Sequence, residues 1–188
     1  MKKFLLFVLG LILVFVLLSG VYAASLYNRL VSSNEAIDNQ WAQVETQYQR
    51  RYDLIPNLVS SVKGVMAQEE RIFGALAEAR TRYSGAVSVE DRIKATNQVE
   101  AELGRLLVVM ENYPELKSSE TVQTLMIQLE GTENRISVER KKYNEAVQEF
   151  NVKIKSFPDN LIARMFTFAE RSYFESVSGA ESVPKVEF

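Results

Sequence analysis

The sequence contains no cysteine and no histidine. Without cysteine no disulfide can form, and without either residue the thiolate and imidazole sites typical of zinc are excluded. Ser-His-Asp and Cys-His catalytic arrangements are excluded as well, as are di-iron sites built on Glu-x-x-His. An enzyme built on this chain would have to use carboxylate, lysine or tyrosine groups alone. We therefore predict a non-enzymatic protein with no cofactor and no metal.

Glycine and proline are also scarce, with 8 Gly and 4 Pro in 188 residues, so few turns are available. The common residues mostly favour helices, and no segment alternates as a strand would. Charge is nearly balanced, with 22 Lys and Arg against 24 Asp and Glu. Since no basic stripe is present, we expect no nucleic acid partner.

Phe4 to Ala24 is a long apolar segment without a charged residue. As a helix it would measure about 31 Å, close to the thickness of the hydrocarbon core of a bilayer. Lys2 and Lys3 precede it, and Tyr22 and Tyr27 lie where interfacial aromatic residues are common. These features predict a transmembrane anchor that binds the lipid bilayer.

A cleavable signal peptide is the alternative, because the small residues of Val21-Tyr22-Ala23 suit a peptidase. If the segment stays as an anchor, the positive-inside rule places the N-terminus in the cytoplasm of a bacterial-type cell, since only Arg29 follows the segment closely. We therefore expect a single-pass protein whose domain is extracytoplasmic.

From Leu30 onward the chain has helical periodicity. Apolar positions three and four apart form a stripe through Leu30, Ile37, Trp41, Val44, Tyr48, Ile55, Leu58, Val62, Val65, Ile72, Leu76 and Tyr83. Pro56 lies inside this run, but the stripe continues across it, which predicts a kinked, continuous helix ending at Ser84-Gly85. The alternative is a reversal, with a new helix capped by Asp53 that carries Pro56 in its first turn.

Three further helices are predicted: Ser88 to Glu111, Ser118 or Ser119 to Phe157, and Asn160 to about Phe174. The fold class is thus all-α, an N-terminal transmembrane helix followed by an antiparallel, coiled-coil-like bundle of three to four long helices. The predicted domains are an anchor at 1–24, a helical bundle at 25–175 and an extended tail at 176–188.

Few residues stand out as candidate sites. Paired glutamates, at 100 and 102 and at 130 and 133, lie among other charges and are interpreted as solvated faces. Arg51 falls on the apolar stripe, and we predict that it forms a structural ion pair with Asp53 or with a glutamate of another helix. The last helix carries an apolar cluster that either closes the bundle or forms a membrane or partner face: Leu161, Ile162, Met165, Phe166 and Phe168.

The length of the helices also predicts self-association. The second helix is about 36 Å long and cannot cover a first helix of about 90 Å. An uncovered apolar stripe near the membrane would then be covered by a second copy, which predicts a homo-oligomer. The residues of this stripe are Leu30, Ile37, Trp41, Val44 and Tyr48. If the chain reverses at Pro56 instead, Trp41 is covered within its own bundle.

Several sequence blocks resemble the LemA family. They are Trp41-Ala42-Gln43-Val44, Gln49 to Val59, Val62-Lys63-Gly64, Tyr113 to Lys117, Leu129-Glu130 with Thr132 to Ile136, Tyr143-Asn144, Phe157-Pro158, Tyr173-Phe174-Glu175, and an end with Pro184, Val186 and Phe188. The family often has a histidine near Gln68-Glu69, and its absence here weakens a metal role further.

The resemblance implies a membrane anchor, rather than a signal peptide, and an antiparallel helical bundle. It implies no established activity and no catalytic residues. Magnetosome-associated relatives in the family suggest, by analogy, a scaffold that self-associates or organises partners at the membrane. An accessory or receptor-type binding subunit of a membrane signalling complex is the alternative function.

Overall fold

The computed structural model describes residues 1–174, and within this range every regular element is a helix. The all-α prediction is therefore confirmed, whereas the predicted tail at 176–188 lies outside the described residues. The helices are α1 (Lys2–Val62), α2 (Glu70–Gly85), α3 (Val89–Met110), α4 (Pro114–Lys117), α5 (Glu120–Lys155) and α6 (Asp159–Met165).

Helix α1 continues through Pro56 as predicted, so the alternative of a reversal at this residue is wrong. Pro56 has no N–H to donate to the carbonyl of Tyr52, which costs one helical hydrogen bond. The apolar stripe is in register on both sides of that gap, because Tyr48, Ile55 and Val62 are all buried. Packing of this stripe outweighs the loss of one hydrogen bond and keeps the helix continuous.

Helix α1 ends at Val62, and the prediction that it runs on to Tyr83 is wrong. The chain turns immediately after it, where the amide N–H groups of Val65 and Met66 both donate to the Val62 carbonyl. Gly64 lowers the cost of leaving the helix here, since glycine is a poor helix former. Met66 is buried, whereas Val65, which the periodicity had assigned to the stripe, is 40% exposed.

Helix α3 begins as the sequence predicts. The Ser88 side chain accepts a hydrogen bond from the Asp91 amide at 3.0 Å and so caps the helix. Glu90 and Asp91 place negative charge in the first turn, where it interacts favourably with the helix dipole. The large apolar residues that recur at helical spacing along this helix are buried: Ile93, Val99, Leu103, Leu106 and Met110.

The connection from α3 to α5 contains a single-turn helix, α4, that the sequence analysis did not predict. It begins at Pro114, whose fixed φ suits the first helical position, and it buries Leu116. Helix α5 then runs without interruption through Gly131. Phe157, at the predicted end of this helix, lies beyond it and is 79% exposed. The buried apolar residues of α5 recur at helical spacing: Val122, Leu125, Leu129, Ile136, Tyr143, Val147, Phe150 and Ile154.

Helix α6 ends at Met165, well short of the predicted Phe174. Thr167 adopts a left-handed conformation with φ of 57°, and the Phe168 amide N–H donates to the Ala163 carbonyl at 2.9 Å. The Thr167 amide N–H donates to the Arg164 carbonyl at 3.4 Å. This is a Schellman motif with threonine at the position where glycine is usual, so the end of the helix could not be predicted from a glycine in the sequence.

The segment after α6 is held by side chains of α5 and does not form a helix. The Asn151 side chain donates to the Arg171 carbonyl and accepts from the Arg171 amide, both at 2.9 Å. The Tyr143 hydroxyl donates to the Ser172 carbonyl at 3.0 Å. These three bonds satisfy backbone groups that a longer helix would have paired internally, which explains why an extended segment replaces the predicted helix.

The chain divides into two compact units, and α1 and α5 contribute residues to both. The first unit contains residues 1–41 and 142–173. Its buried apolar side chains come from α1, α5 and α6, with Leu30, Ile37, Val147 and Phe150 fully buried. The second unit contains residues 42–141 together with Phe174. Here α2 and α3 pack against each other, and the Tyr83 ring at the end of α2 lies 4.4 Å from the Tyr52 ring of α1.

Candidate functional site

The first part of α1 is an exposed apolar surface. Every large apolar side chain from Phe4 to Tyr22 is exposed, and the first buried residue of the chain is Leu26. The most apolar window of this helix has a mean hydropathy of 3.0, and none of it is buried. By length and composition, α1 is the one helix among the described residues that is long and apolar enough to cross a membrane.

The stripe assigned to self-association is covered by the chain itself. Leu30, Ile37, Val44 and Tyr48 are fully buried, and Trp41 is 6% exposed. In the first unit the Trp41 ring packs edge-on against Tyr143 of α5, with 5.5 Å between ring centroids. The prediction of an uncovered stripe is therefore wrong. It followed mainly from the short length of α3, whereas side chains of α5 cover the stripe, with Tyr143 against Trp41 and Arg140 against Tyr48.

A buried charged cluster occupies the second unit. The Arg51 guanidinium lies 2.6 Å from a Glu133 carboxylate oxygen and 3.4 Å from the Glu100 Oε1 atom. Arg140 of α5 also pairs with Glu100 and donates from its Nε to the Tyr48 hydroxyl at 2.6 Å. The Tyr48 hydroxyl donates in turn to Glu100 at 3.2 Å. Glu100 therefore accepts hydrogen bonds from three side chains that come from two other helices.

The predicted pair of Arg51 with Asp53 is corrected by this geometry. Residues two apart on a helix point to different sides, so the two side chains cannot face each other. Asp53 accepts a hydrogen bond from Gln49 at 2.9 Å, one helical turn earlier. Arg51 instead pairs with glutamates of α3 and α5, which was the other partner considered from the sequence.

Burial governs the electrostatics of this cluster. Loss of solvation raises the pKa of the Glu100 carboxyl above its ordinary value of 4.5, and the charges of Arg140 and Arg51 only partly oppose it. Burial likewise raises the pKa of the Tyr48 hydroxyl far above its usual range. The Phe174 ring covers the cluster, 4.2 Å from the Arg140 guanidinium carbon. The carboxylates of the cluster are paired with arginine, whereas the buried Arg51 Nε has no hydrogen-bond partner among the described residues.

The apolar cluster of α6 is divided between two faces. Ile162 is buried and Phe168 is half-buried, whereas Leu161, Met165 and Phe166 are 56%, 71% and 50% exposed. Ile162 and Phe168 therefore help to close the fold, whereas Leu161, Met165 and Phe166 form an exposed apolar face.

An apolar groove in the second unit was missed by the sequence analysis. It has a volume of about 510 Å³ and lies where α3, α4 and α5 meet. Its apolar lining consists of Leu107, Met110, Leu116, Val122, Met126 and Ile127. Methionine side chains adapt to different apolar shapes, which suits a binding surface. Periodicity assigns such residues to a helix face but cannot show that three faces leave a gap.

No group of three or more acidic side chains that would suit a metal ion occurs among residues 1–174. Asp159 and Glu100, whose side chains are 6% and 22% exposed, are both paired with arginine. Neither is therefore available as a ligand without losing its partner.

The architecture agrees with a known family. A sequence model described as the LemA family matches residues 40–188. The chain belongs to the LemA family. The matched region begins within α1, after the exposed apolar segment, and takes in all the later helices.

Three relatives show how far this similarity reaches. Magnetosome protein MamQ 2 of Paramagnetospirillum magneticum is 28% identical over 175 residues, which is 79% of this chain and 64% of the relative. Magnetosome protein MamQ of Magnetospirillum gryphiswaldense is 26% identical over 174 residues, with the same two shares. Protein LemA of Metamycoplasma hominis is 23% identical over 169 residues, 88% of this chain and 77% of the relative. The chain thus spans less than two thirds of the magnetosome proteins' length, and none of these names denotes a catalytic activity.

Proposed function

We propose that this LemA family member is a membrane-anchored structural protein that holds a helical domain at a membrane and organises partners there. The observation that carries this proposal is the exposed apolar segment from Phe4 to Ala24, which belongs to the same helix as the buried residues of the domain. Its helical length of about 31 Å matches a bilayer core. Similarity to magnetosome proteins fits a structural role by analogy.

An antiparallel arrangement of the long helices is part of this proposal. In the first unit Ser33 contacts Lys153 and Trp41 contacts Tyr143, so residues later in α1 meet residues earlier in α5. In the second unit the same order holds, because Tyr48 contacts Arg140 and Arg51 contacts Glu133. Such order supports α1 and α5 running in opposite directions within each unit.

A non-enzymatic role is supported by the chemistry of the side chains. The sequence has no histidine or cysteine, and the buried carboxylate Glu100 is held by two arginines. Acid-base catalysis needs a group whose protonation state can change in contact with a substrate. The paired Glu100, beneath Phe174, does not meet that requirement.

Partners have to be met by surfaces other than the buried stripe. The groove lined by Met110, Met126 and Ile127 is the surface that favours the second candidate function, an accessory or receptor-type binding subunit. Its occupant on this account is an apolar segment of a partner protein, because the lining is mostly aliphatic and sulfur-containing.

We expect the double substitution Leu13→Arg and Val14→Arg to release the full-length protein from membranes. Each arginine at the centre of a spanning helix costs about 2.5 to 3.5 kcal/mol on insertion scales. The measurement is the distribution of the protein between membrane pellet and supernatant after alkaline carbonate extraction. The control, Leu13→Ile with Val14→Leu, should stay in the pellet.

Two results would contradict the anchor. One is a wild-type protein that carbonate extracts completely; the other is a mature N-terminus at Ala24, which would mean that a signal peptidase had removed the segment.

We also propose that the domain lies outside the cytoplasm, because Lys2 and Lys3 precede the segment. Protease added to intact spheroplasts should then digest the domain. A domain that is fully protected from the protease would show that it lies on the cytoplasmic side instead.

The binding-subunit alternative predicts that Ile127→Glu abolishes co-purification of a partner from native membranes. Ile127 lines the groove and is 69% exposed, so a charge there should leave the fold intact. Val138→Glu is the matched control, because Val138 is 52% exposed and is not among the residues that line the groove. A partner lost with the first variant and kept with the second supports the alternative. Identical partners for wild type and both variants would contradict it.

A further inference from the structure

The chain after α5 presents an exposed apolar row. Phe157, Leu161 and Met165 are spaced by four residues and are 79%, 56% and 71% exposed. Phe166 follows at 50% exposed. Leu161 and Met165 are four apart within α6 and therefore lie on the same face of this helix, whereas Phe157 lies in the turn before α6 and Phe166 directly follows it. We refer to these four residues as the α6 row.

Helix α6 and the residues directly after it are fixed to α1 just beyond the apolar segment. Asp159, 4% exposed, pairs with Arg29, and Ile162 is buried. The Tyr27 ring lies 4.6 Å from the Phe166 ring and 6.0 Å from the Phe168 ring. Both a charge pair and aromatic packing therefore set the position of α6 along α1.

This attachment determines how far the α6 row lies from the end of the apolar segment. Tyr27 and Arg29 follow Ala24 by three and five residues, which corresponds to about 4.5 and 7.5 Å along a helix. The headgroup layer on each side of a bilayer core is roughly 5 to 8 Å thick. If the segment spans the core, α6 meets α1 at the level of the headgroups.

We propose that the α6 row inserts into the headgroup and upper acyl region of the same membrane that holds the N-terminal segment. The domain then contacts the bilayer at two places, through the spanning helix and through α6. Large apolar side chains on one face of a helix suit this interfacial position. A second contact restricts the orientation of the first unit at the membrane surface. The inference rests on the proposed anchor, because without it nothing brings α6 to a bilayer.

The experiment uses the absence of cysteine from the sequence, which allows single-cysteine variants of the full-length protein without removing any native residue. Leu161→Cys and Met165→Cys are labelled with an environment-sensitive fluorophore and reconstituted into phosphatidylcholine and phosphatidylglycerol vesicles. The control is Val152→Cys on α5, which is 56% exposed. Its neighbour Lys153 bonds Ser33 at 2.8 Å, and Ser33 lies about 13 Å beyond Ala24 along the helix.

We expect the labels at 161 and 165 to shift to shorter wavelength and to lose about half of their emission or more when lipids with a nitroxide near the headgroup are included. The label at 152 should keep its emission. Flotation of every labelled protein with the vesicles tests the anchor separately. Proteins that float while labels at 161 and 152 are quenched equally would overturn the inference and leave the anchor standing.

Two other outcomes would also overturn it. Proteins that fail to float would refute the proposed anchor, and the inference with it. A shift to shorter wavelength that grows with the protein-to-lipid ratio and shows no lipid quenching would mean that a second copy of the chain covers the α6 row.

Discussion

Trp41→Glu should lower the free energy of unfolding by about 4 kcal/mol or more, because removal of a buried tryptophan costs about 3 to 5 kcal/mol and a carboxylate is then placed in an apolar site. Trp41 is 6% exposed and packs against the Tyr143 ring. A domain of ordinary stability has about 5 to 15 kcal/mol in total, so the loss is large. Chemical denaturation of the full-length protein in mild detergent, followed by circular dichroism, measures it.

Val138→Glu is the control for this change, since Val138 is 52% exposed and its substitution should move the midpoint little. Light scattering corrected for detergent gives the mass of both variants. If Trp41→Glu kept the wild-type midpoint but ran at a smaller mass, Trp41 would lie between copies of the chain. The buried stripe would then have to open in the assembled protein.

The features that could be predicted from the sequence are those set by local chemistry. Ser88 followed by Asp91 identified the start of α3, and the spacing from Ile93 to Met110 identified its buried face. Continuity across Pro56 followed from the unbroken register of the stripe. Each of these depends on residues a few positions apart, so periodicity and capping rules are sufficient.

The features that the sequence missed depend on contacts between distant residues. The extended segment at Arg171 exists because Asn151, twenty positions earlier, binds its backbone. Helix α6 ends at Met165 and is followed by Thr167 in a left-handed conformation, which local preference disfavours. The partners of Arg51 are likewise 49 and 82 positions away along the chain, and an isolated helix pattern cannot identify them.

The error about the stripe has the same cause, because the residues that cover the stripe are far from it in the sequence. A long apolar face shows that something covers it but does not show what. The length of α3 made a second copy a reasonable cover, yet α5 supplies Tyr143 and Arg140 against α1 instead. For the stripe from Leu30 to Tyr48, the burial of these side chains was therefore predicted correctly and their covering partner incorrectly.

Arg51→Ala should lower the free energy of unfolding by about 3 kcal/mol near neutral pH, because loss of one member of a buried ion pair strands the other. The Arg51 side chain is 10% exposed and that of Glu100 is 22% exposed, so solvent replaces little of this interaction. Glu133, the nearer partner of Arg51 at 2.6 Å, is 46% exposed and regains contact with water. Glu100 keeps Arg140, which places the expected cost at the lower end of the range for broken buried pairs. Denaturant unfolding of the full-length protein measures the change. Arg50→Ala, at the exposed neighbouring position, is the control and should have little effect.

The cost of Arg51→Ala should also depend on pH in a defined direction. Burial already holds the pKa of Glu100 in the folded protein above 4.5, and loss of the Arg51 charge raises that pKa further. A carboxyl whose folded pKa exceeds its unfolded value costs nothing when both states are protonated and destabilises the fold as pH rises through and above the unfolded pKa. The difference between wild type and Arg51→Ala should therefore be small below about pH 4.5 and should grow on going to neutral pH. Glu100→Gln in the Arg51→Ala background should remove this pH dependence, because the amide carries no charge. A difference that is constant from acid to neutral pH would mean that Arg51 stabilises the domain by packing alone and that its pairing with Glu100 contributes nothing.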